Sequence, residues 1–190
     1  MARPKNDQPG PSAKERMANA FWEALEEKPY EQITVRDIAE RAQINRNALY
    51  YHFSNVDSLA EWAFERELPT EIPRLMFFNG PDEVLKFVEE PANKERIRRA
   101  RLAVGKNGSK MFVNILKDAF LRAWCDVLEI DLDTFSDQQR IASEFIAGGI
   151  LAVVANSEDI PTEELVQFVS STGMHQRLFD MIMTCLKAIF

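Results

Sequence analysis

Cysteine is scarce in this chain of 190 residues, which contains only Cys125 and Cys185. Two cysteines so far apart cannot build a disulfide framework or a four-ligand metal site, so small disulfide-rich scaffolds and zinc-ribbon classes are excluded. Such low cysteine usage suits a reducing compartment, and we therefore expect the protein to be cytoplasmic.

Long apolar stretches are also lacking. The longest one, residues 145–155, is much shorter than the roughly 20 residues that a membrane span requires, so it predicts a helix segment buried on every side and no membrane partner. The N-terminal residues contain Pro4, Pro9 and Pro11 but no apolar core of a secretory signal. We predict a flexible arm over residues 1–11.

Positive charge is in deficit, because 23 basic residues stand against 30 acidic ones and the net charge is −7. The overall field therefore repels nucleic acids and acidic membranes. Any contact with nucleic acid must come from a local surface.

The groups needed for catalysis are missing as recognisable sets. The two histidines, His52 and His175, lie far apart, and there is no Ser-His-Asp arrangement or glycine-rich phosphate loop. Asp131 and Asp133 resemble the start of a calcium loop, but Phe135 stands where an oxygen ligand is needed. We predict a protein that is not an enzyme and has no metal or cofactor.

The apolar residues that are present recur at helical spacing, and period-two alternation is absent, which predicts an all-α fold. Ser12 and Glu15 form a capping box that opens a helix over residues 13–27, and Ser136 and Gln139 form another that opens a helix reaching about Ala155.

Prolines divide the chain. Pro69, Pro73 and Pro81 punctuate one stretch, so we interpret residues 69–81 as a hinge. The predicted organisation is an arm, an N-terminal module over residues 12–68 and a larger C-terminal module over residues 69–190.

Residues 34–53 predict two short helices joined by a tight turn, an arrangement that lets the second helix enter the major groove of DNA. Leu49 and Phe53 would hold that helix on the first one. The remaining side chains face outward and suit DNA: arginine binds guanine edges and phosphates, asparagine binds adenine, and tyrosine hydroxyls bind phosphates. They are Arg46, Asn47, Tyr50 and Tyr51.

The motif in this segment is Ile33-Thr34-Val35-Arg36-Asp37-Ile38-Ala39-Glu40-Arg41-Ala42, followed by Asn45, Ala48-Leu49-Tyr50-Tyr51-His52-Phe53 and Leu59. It resembles the helix-turn-helix of the TetR family of bacterial transcriptional regulators, and the close resemblance covers residues 12–68. The resemblance implies a DNA-binding domain there and a helical effector-binding and dimerisation domain over residues 69–190. The helices near 138–155 and 174–190 would pair with those of a second copy as a four-helix bundle.

Roles for individual residues follow from the resemblance. Arg46, Asn47 and Tyr51 would contact bases or the nearby backbone, and Tyr50, His52 and Thr34 would contact phosphates. The full predicted DNA-binding set is Thr34, Arg36, Asn45, Arg46, Asn47, Tyr50, Tyr51 and His52. For His52, capping of the helix end is an equal alternative.

The sequence departs from the family pattern at four positions. Gln43 and Asn45 stand where glycine and serine are usual, and Asn47 stands where a small residue is more frequent. Val56 stands where the family has a phosphate-contacting lysine. Asn45 still caps a helix well. Without that lysine, the arm is the expected source of some backbone affinity.

The densest basic stretch is elsewhere, between Lys94 and Lys110. It allows a second nucleic-acid surface or a site for an anionic effector, but we favour a solvated face or salt bridges to acidic helices.

The sequence predicts a pocket and a dimer interface in the C-terminal module. An apolar effector pocket would be lined by Met111, Phe112, Phe120, Trp124 and Phe145. Adjacent glycines inside a helix favour close approach of a partner helix. The predicted interface is Ile141, Phe145, Gly148, Gly149, Leu178, Ile182 and Ile189.

The function we predict is a ligand-responsive repressor that binds a palindromic operator as a homodimer. An alternative is a C-terminal domain that recruits a protein partner, for which the absence of an apolar pocket would be the signature. A weaker alternative is a protein that has lost operator binding, suggested only by Val56.

Overall fold

The computed structural model describes residues 11–157, 159–171 and 173–186, and all regular structure within these ranges is helical. The all-α prediction is confirmed. The first four α-helices are α1 (Ala13–Glu27), α2 (Val35–Arg41), α3 (Arg46–His52) and α4 (Val56–Glu65). The others are α5 (Ile72–Asn79), α6 (Pro81–Glu89), α7 (Pro91–Val104), α8 (Lys110–Leu128), α9 (Asp137–Asn156), α10 (Thr162–Ser171) and α11 (Met174–Leu186).

The chain packs as two units, residues 1–63 and residues 64–190, and the division falls inside α4. The division that the sequence predicts, after Leu68, follows the extent of the family resemblance and stays a prediction. The predicted arm lies outside the described residues except for Pro11.

Side-chain caps fix where the helices begin. Both predicted capping boxes, Ser12 with Glu15 and Ser136 with Gln139, are present and open α1 and α9. Each box satisfies backbone N–H groups that the first turn of a helix leaves without partners. These starts are local properties of the sequence, which is why they were predictable.

The N-terminal unit is built around α1. Met17, Phe21 and Leu25 lie on one side of this helix and are fully buried. Ile38 of α2 and Leu49 of α3 are equally buried, as the spacing of apolar residues predicts. The two short helices are therefore held on a filled core.

The turn between α2 and α3 has a left-handed residue. Gln43 adopts a φ of 54°, and the N–H of Ile44 donates to the carbonyl of Ala39 at 3.0 Å. Left-handed backbone favours glycine because a Cβ atom is crowded there. This explains why the family resemblance puts glycine at this position.

The predicted hinge contains a helix, because residues 72–79 form α5. The hinge itself stays a prediction. Pro73 lies in the first turn of that helix, where proline is tolerated since its nitrogen would have no intrahelical partner. The Pro73 side chain is among the fully buried ones. Pro73 and Pro81 thus lie in the first turns of α5 and α6.

The C-terminal unit has two buried apolar clusters. Val84, Val88 and Ile97 join α6 and α7. Members of the other cluster come mainly from α8, α9 and α11, and they are Trp124, Cys125, Phe135, Ile146 and Ile182. Burial raises the pKa of the Cys125 thiol, so it behaves as an apolar side chain.

Basic residues of α7 form a network of ion pairs with acidic residues. Arg96 pairs with Glu71 at 3.0 Å, and Arg99 pairs with Glu67 at 2.9 Å. Further along, the Arg101 guanidinium donates to the carbonyl of Ile160. These contacts agree with the interpretation of the stretch as salt bridges to acidic segments.

Candidate functional site

The helix-turn-helix of α2 and α3 exposes one face of α3. Leu49 is 0% exposed and anchors the helix, whereas Tyr50 and Tyr51 are 56% and 84% exposed. Arg46 and Asn47, in the first turn, are exposed as well. The structure therefore brings the four predicted outward residues together on the surface of one short helix.

Thr34 caps α2 through a tight polar cluster. The Thr34 hydroxyl and N–H both donate to the Asp37 carboxylate, at 2.7 and 2.8 Å, and the Lys28 ammonium lies 2.7 Å from the same oxygen. Lys28 and Thr34 together lower the pKa of Asp37 to about 2. The predicted phosphate contact of Thr34 would use a hydroxyl that already belongs to this cap.

Several cations of the N-terminal unit are neutralised by carboxylates. Arg36, a predicted backbone contact, pairs with Glu40 at 2.7 Å, and Arg41 pairs with Glu27. Both side chains of the Arg36–Glu40 pair are exposed, so the pair is weak. Arg36 can therefore leave Glu40 and bind a phosphate instead.

Asn45 and His52 occupy the two ends of α3. The Asn45 side-chain oxygen accepts from the N–H of Ala48 at 2.8 Å, which leaves its amide hydrogens as donors. The half-buried His52 ring lies edge-on to Tyr51 with 4.9 Å between centroids, and 6.5 Å from the Phe53 ring. A row of three rings thus marks the C-terminal end of α3.

The sequence of this segment matches a known family. Residues 19–62 match the model described as bacterial regulatory proteins, tetR family. The helix-turn-helix belongs to the TetR family. A curated relative, the HTH-type dhaKLM operon transcriptional activator DhaS of Lactococcus lactis subsp. lactis (strain IL1403), is 37% identical over 51 residues, which are 27% of this chain and 27% of DhaS. The match thus spans about a quarter of that relative.

Two solved structures are similar to a larger part of the chain. One is the dihydroxyacetone kinase operon activator DhaS, with 19% identity, a TM-score of 0.46 and coverage of 93% of this chain and 97% of that one. The other is the TetR family repressor AlkX from Dietzia sp. strain DQ12-45-1b, implicated in biodegradation of n-alkanes. Its identity is 17%, its TM-score is 0.45, and the match covers 92% of this chain and 100% of AlkX.

All eight predicted DNA-binding residues lie in the TetR-family helix-turn-helix or at its caps. Seven of them are exposed, and His52 is half-buried. Their individual contacts with DNA stay predictions.

The C-terminal unit contains an apolar cavity of about 770 Å³. Residues from helices α5 to α11 line it, and apart from a few polar groups such as Arg101 and Thr162 the walls are hydrophobic. Cavities of this size and character are typical of small-molecule sites.

The structure assigns the predicted pocket residues to different places. Phe120 and Phe145 line the cavity. Phe112 is fully buried against the Phe64 ring, 5.0 Å away, and Trp124 belongs to the second apolar cluster. Met111 is half-buried in α8 and is not among the lining residues.

Sequence reasoning missed most of the lining. Met76, Leu116 and Val166 line the cavity, yet nothing separates them in the sequence from ordinary core residues. Only the packing of whole helices decides which apolar side chain meets a void.

One side of α9 is apolar and exposed, which corrects the prediction that residues 145–155 are buried on every side. Ile141, Phe145 and Val153 are 71%, 77% and 56% exposed. A Cβ atom added at Gly148 or Gly149 would meet nothing within 4 Å. The glycines are therefore open to an approaching surface, and Phe145 and Val153 also line the cavity.

Ile182, another predicted interface residue, does not reach this side. Ile182 is 5% exposed and packs in the second apolar cluster. Leu178 lies in α11, but its side chain is outside the described part of the chain, and Ile189 is outside it altogether.

No helix in the described ranges combines the length and apolar character needed to cross a bilayer. The same ranges contain no group of three or more His, Cys, Asp or Glu side chains placed to hold a metal ion.

Proposed function

We propose that the chain is a cytoplasmic, homodimeric transcriptional repressor that binds a near-palindromic operator through α3 and releases it when an apolar effector enters the C-terminal cavity. The observation that carries the proposal is the exposed side of α3, called the recognition helix below. It presents Arg46, Asn47 and two tyrosines on a helix that Leu49 fixes to the core.

The side chains on the recognition helix suit duplex DNA. Arginine and asparagine can read base edges in the major groove, and tyrosine hydroxyls bind phosphates. Sequence reading needs a rigid platform, which the caps Thr34 and Asn45 supply at the helix starts. This polar, capped and well-supported helix favours DNA reading over simple packing.

The exposed side of α9 supports dimerisation. A row of apolar side chains beside two open glycines fits a second copy of the same helix, and two-fold symmetry makes such a surface self-complementary. A dimer would place two recognition helices on half-sites one helical turn of DNA apart.

The cavity supports the effector. Its walls offer apolar surface, and the Glu144 carboxylate at its edge is paired with Lys117 at 3.0 Å. Any effector that prefers one conformation of the C-terminal unit shifts the population toward it. Loss of DNA affinity alone is enough for repression to be relieved, so we propose repression, although the curated relative is named an activator.

The first experiment is selection of duplex DNA by the purified protein, followed by anisotropy titrations at physiological salt. We expect a near-palindrome bound at nanomolar concentration. Weak, sequence-independent binding with a steep salt dependence would overturn operator recognition.

Substitutions in the recognition helix test the assignment of the site. Arg46→Ala and Tyr51→Ala should each weaken operator binding by about 1–3 kcal/mol, with unchanged urea midpoints. Lys86→Ala, which removes one exposed charge from α6, is the matched control and should bind as wild type. Wild-type affinity in both recognition-helix variants would refute the assignment.

The alternative function is recruitment of a protein partner by the C-terminal unit. The exposed side of α9 is the observation that favours it. Titration with a neutral apolar dye such as N-phenyl-1-naphthylamine separates the two: saturable binding at one site per chain supports the effector cavity, and its absence supports the partner.

A further inference from the structure

The charges of the N-terminal unit are unevenly compensated. Residues 11–63 contain six basic side chains: Lys14, Arg16, Lys28, Arg36, Arg41 and Arg46. Carboxylates within 4.0 Å neutralise Lys28, Arg36 and Arg41. In this described stretch Lys14, Arg16 and Arg46 form no such pair, so they carry the available positive charge.

Two of these three cations lie at opposite ends of the recognition helix. Arg46 is its first residue. The Lys14 ammonium lies 5.5 Å from the ring centroid of Phe53, the residue that follows the helix. The helix between them is only seven residues long, about 10 Å.

Lys14 is also held in place. Its ammonium lies 5.5 Å from the Trp62 ring as well as from Phe53, and the two rings are themselves 5.6 Å apart. A cation over two aromatic faces is attracted by their quadrupoles, and the lysine stem covers apolar surface. The side chain is half-buried. Much of the rotamer entropy that a free lysine loses on binding is therefore lost already on folding.

The first turn of α4, which follows the recognition helix, has no basic residue. The first turn of α4 carries Asp57, whose carboxylate accepts from the Tyr30 hydroxyl, and Val56 stands at the first position. A helix in the major groove lies between two phosphate strands, so each of its ends faces a backbone. Arg46 can serve one end, and among the described residues Lys14 is placed at the other, beside Phe53.

We propose that Lys14 is a phosphate-binding residue at the C-terminal end of the recognition helix, held ready for DNA by Phe53 and Trp62. The inference rests on the proposed DNA-binding function. A phosphate bound there adds affinity without sequence preference, because every nucleotide carries one.

The test compares Lys14→Met with wild type on the selected operator and on random duplex DNA, at several salt concentrations. Methionine keeps apolar contact with the two rings but removes the charge. We expect about 3–10-fold weaker binding to both DNAs at physiological salt, and a slope of log affinity against log salt that is lower by about 1 per half-site. Lys14→Arg keeps charge and ring contact and should restore both quantities.

Arg16→Met is the matched control. Arg16 lies on the same helix and also lacks a carboxylate partner in the described stretch, but positions two apart do not share a helix face. Its slope should stay near that of wild type. Thermal unfolding of each variant checks the fold, and Lys14→Gln provides a second neutral side chain if Lys14→Met unfolds.

The outcomes separate this inference from the function on which it rests. Wild-type binding with an unchanged slope in Lys14→Met overturns the role of Lys14 alone. An equal fall for Arg16→Met also overturns it, because the slope would then report the net charge of α1. No DNA binding by the wild-type protein overturns both proposals.

Discussion

The two units differ in how completely they bury their apolar side chains. In the N-terminal unit several large side chains, such as Phe21 and Leu49, are fully buried, and within residues 11–63 the exposed large hydrophobic residues are the tyrosines of the recognition helix. In the C-terminal unit Ile141, Phe145 and Val153 are exposed, and a cavity of about 770 Å³ interrupts the interior. The proposed partner of the N-terminal unit is DNA, which is polar, so the core of that unit can be filled completely. The proposed partners of the C-terminal unit are an apolar effector and a second copy, and binding them requires apolar surface that the unit itself leaves uncovered.

The largest effect expected from this contrast compares two phenylalanines. Phe21→Ala should destabilise the N-terminal unit by about 3–5 kcal/mol, because it leaves a cavity in a filled core. Phe145→Ala, at a side chain 77% exposed, should change unfolding of dilute protein by less than about 0.5 kcal/mol and weaken the proposed dimer.

Urea titrations followed by tryptophan fluorescence measure the first effect, since Trp22 and Trp62 report on one unit and Trp124 on the other. Sedimentation measures the second. Equal destabilisation by the two substitutions would remove the contrast.

A smaller effect concerns the cap of α2. Lys28 and Thr34 hold the pKa of Asp37 near 2, below its ordinary value of 3.8, so folding favours the charged carboxylate. Its contribution is complete above about pH 4 and is lost as pH falls toward 2. Asp37→Asn should cost about 1 kcal/mol at pH 7, a scale set by partial exposure of the pair.

The difference in urea midpoint between wild type and Asp37→Asn should therefore shrink between pH 4 and pH 2. Glu40→Gln, an exposed carboxylate on the same helix, is the control. A difference that stays constant over this range would contradict the role of the charge.

The smallest expected effect on stability concerns left-handed backbone, which occurs in both units. Gln43 and Glu129 both adopt left-handed backbone, with φ of 54° and 55°. Gln43→Gly and Glu129→Gly should each stabilise the protein by about 0.5–1 kcal/mol, because glycine relieves the crowding at Cβ. Alanine at either position should give no gain.

If the gain is local, it should be similar in the two units, as measured by the urea midpoints of the matching tryptophan signals. A gain in one unit only would show that neighbouring side chains, and not the backbone, set the energy at these positions.

The sequence predicted the N-terminal unit well because its signals are local. Capping boxes, a short apolar spacing and the motif around Thr34 and Tyr51 each act over a few residues. The sequence did not predict α5 inside the proline-containing stretch, because a proline such as Pro73 is also tolerated in the first turn of a helix. Phe120 and Phe145 were predicted for the pocket and line the cavity, but most of the other lining residues were not predictable, because the lining depends on how whole helices pack.

Phe145 and Val153 belong both to the cavity wall and to the exposed side of α9. A molecule that covers the exposed side of α9 therefore also closes this wall of the cavity. A second copy docked there would make each binding site partly the property of its neighbour, so the response to an effector would depend on how much of the protein a cell holds. The cellular concentration of the protein would then set how sensitive it is to the effector.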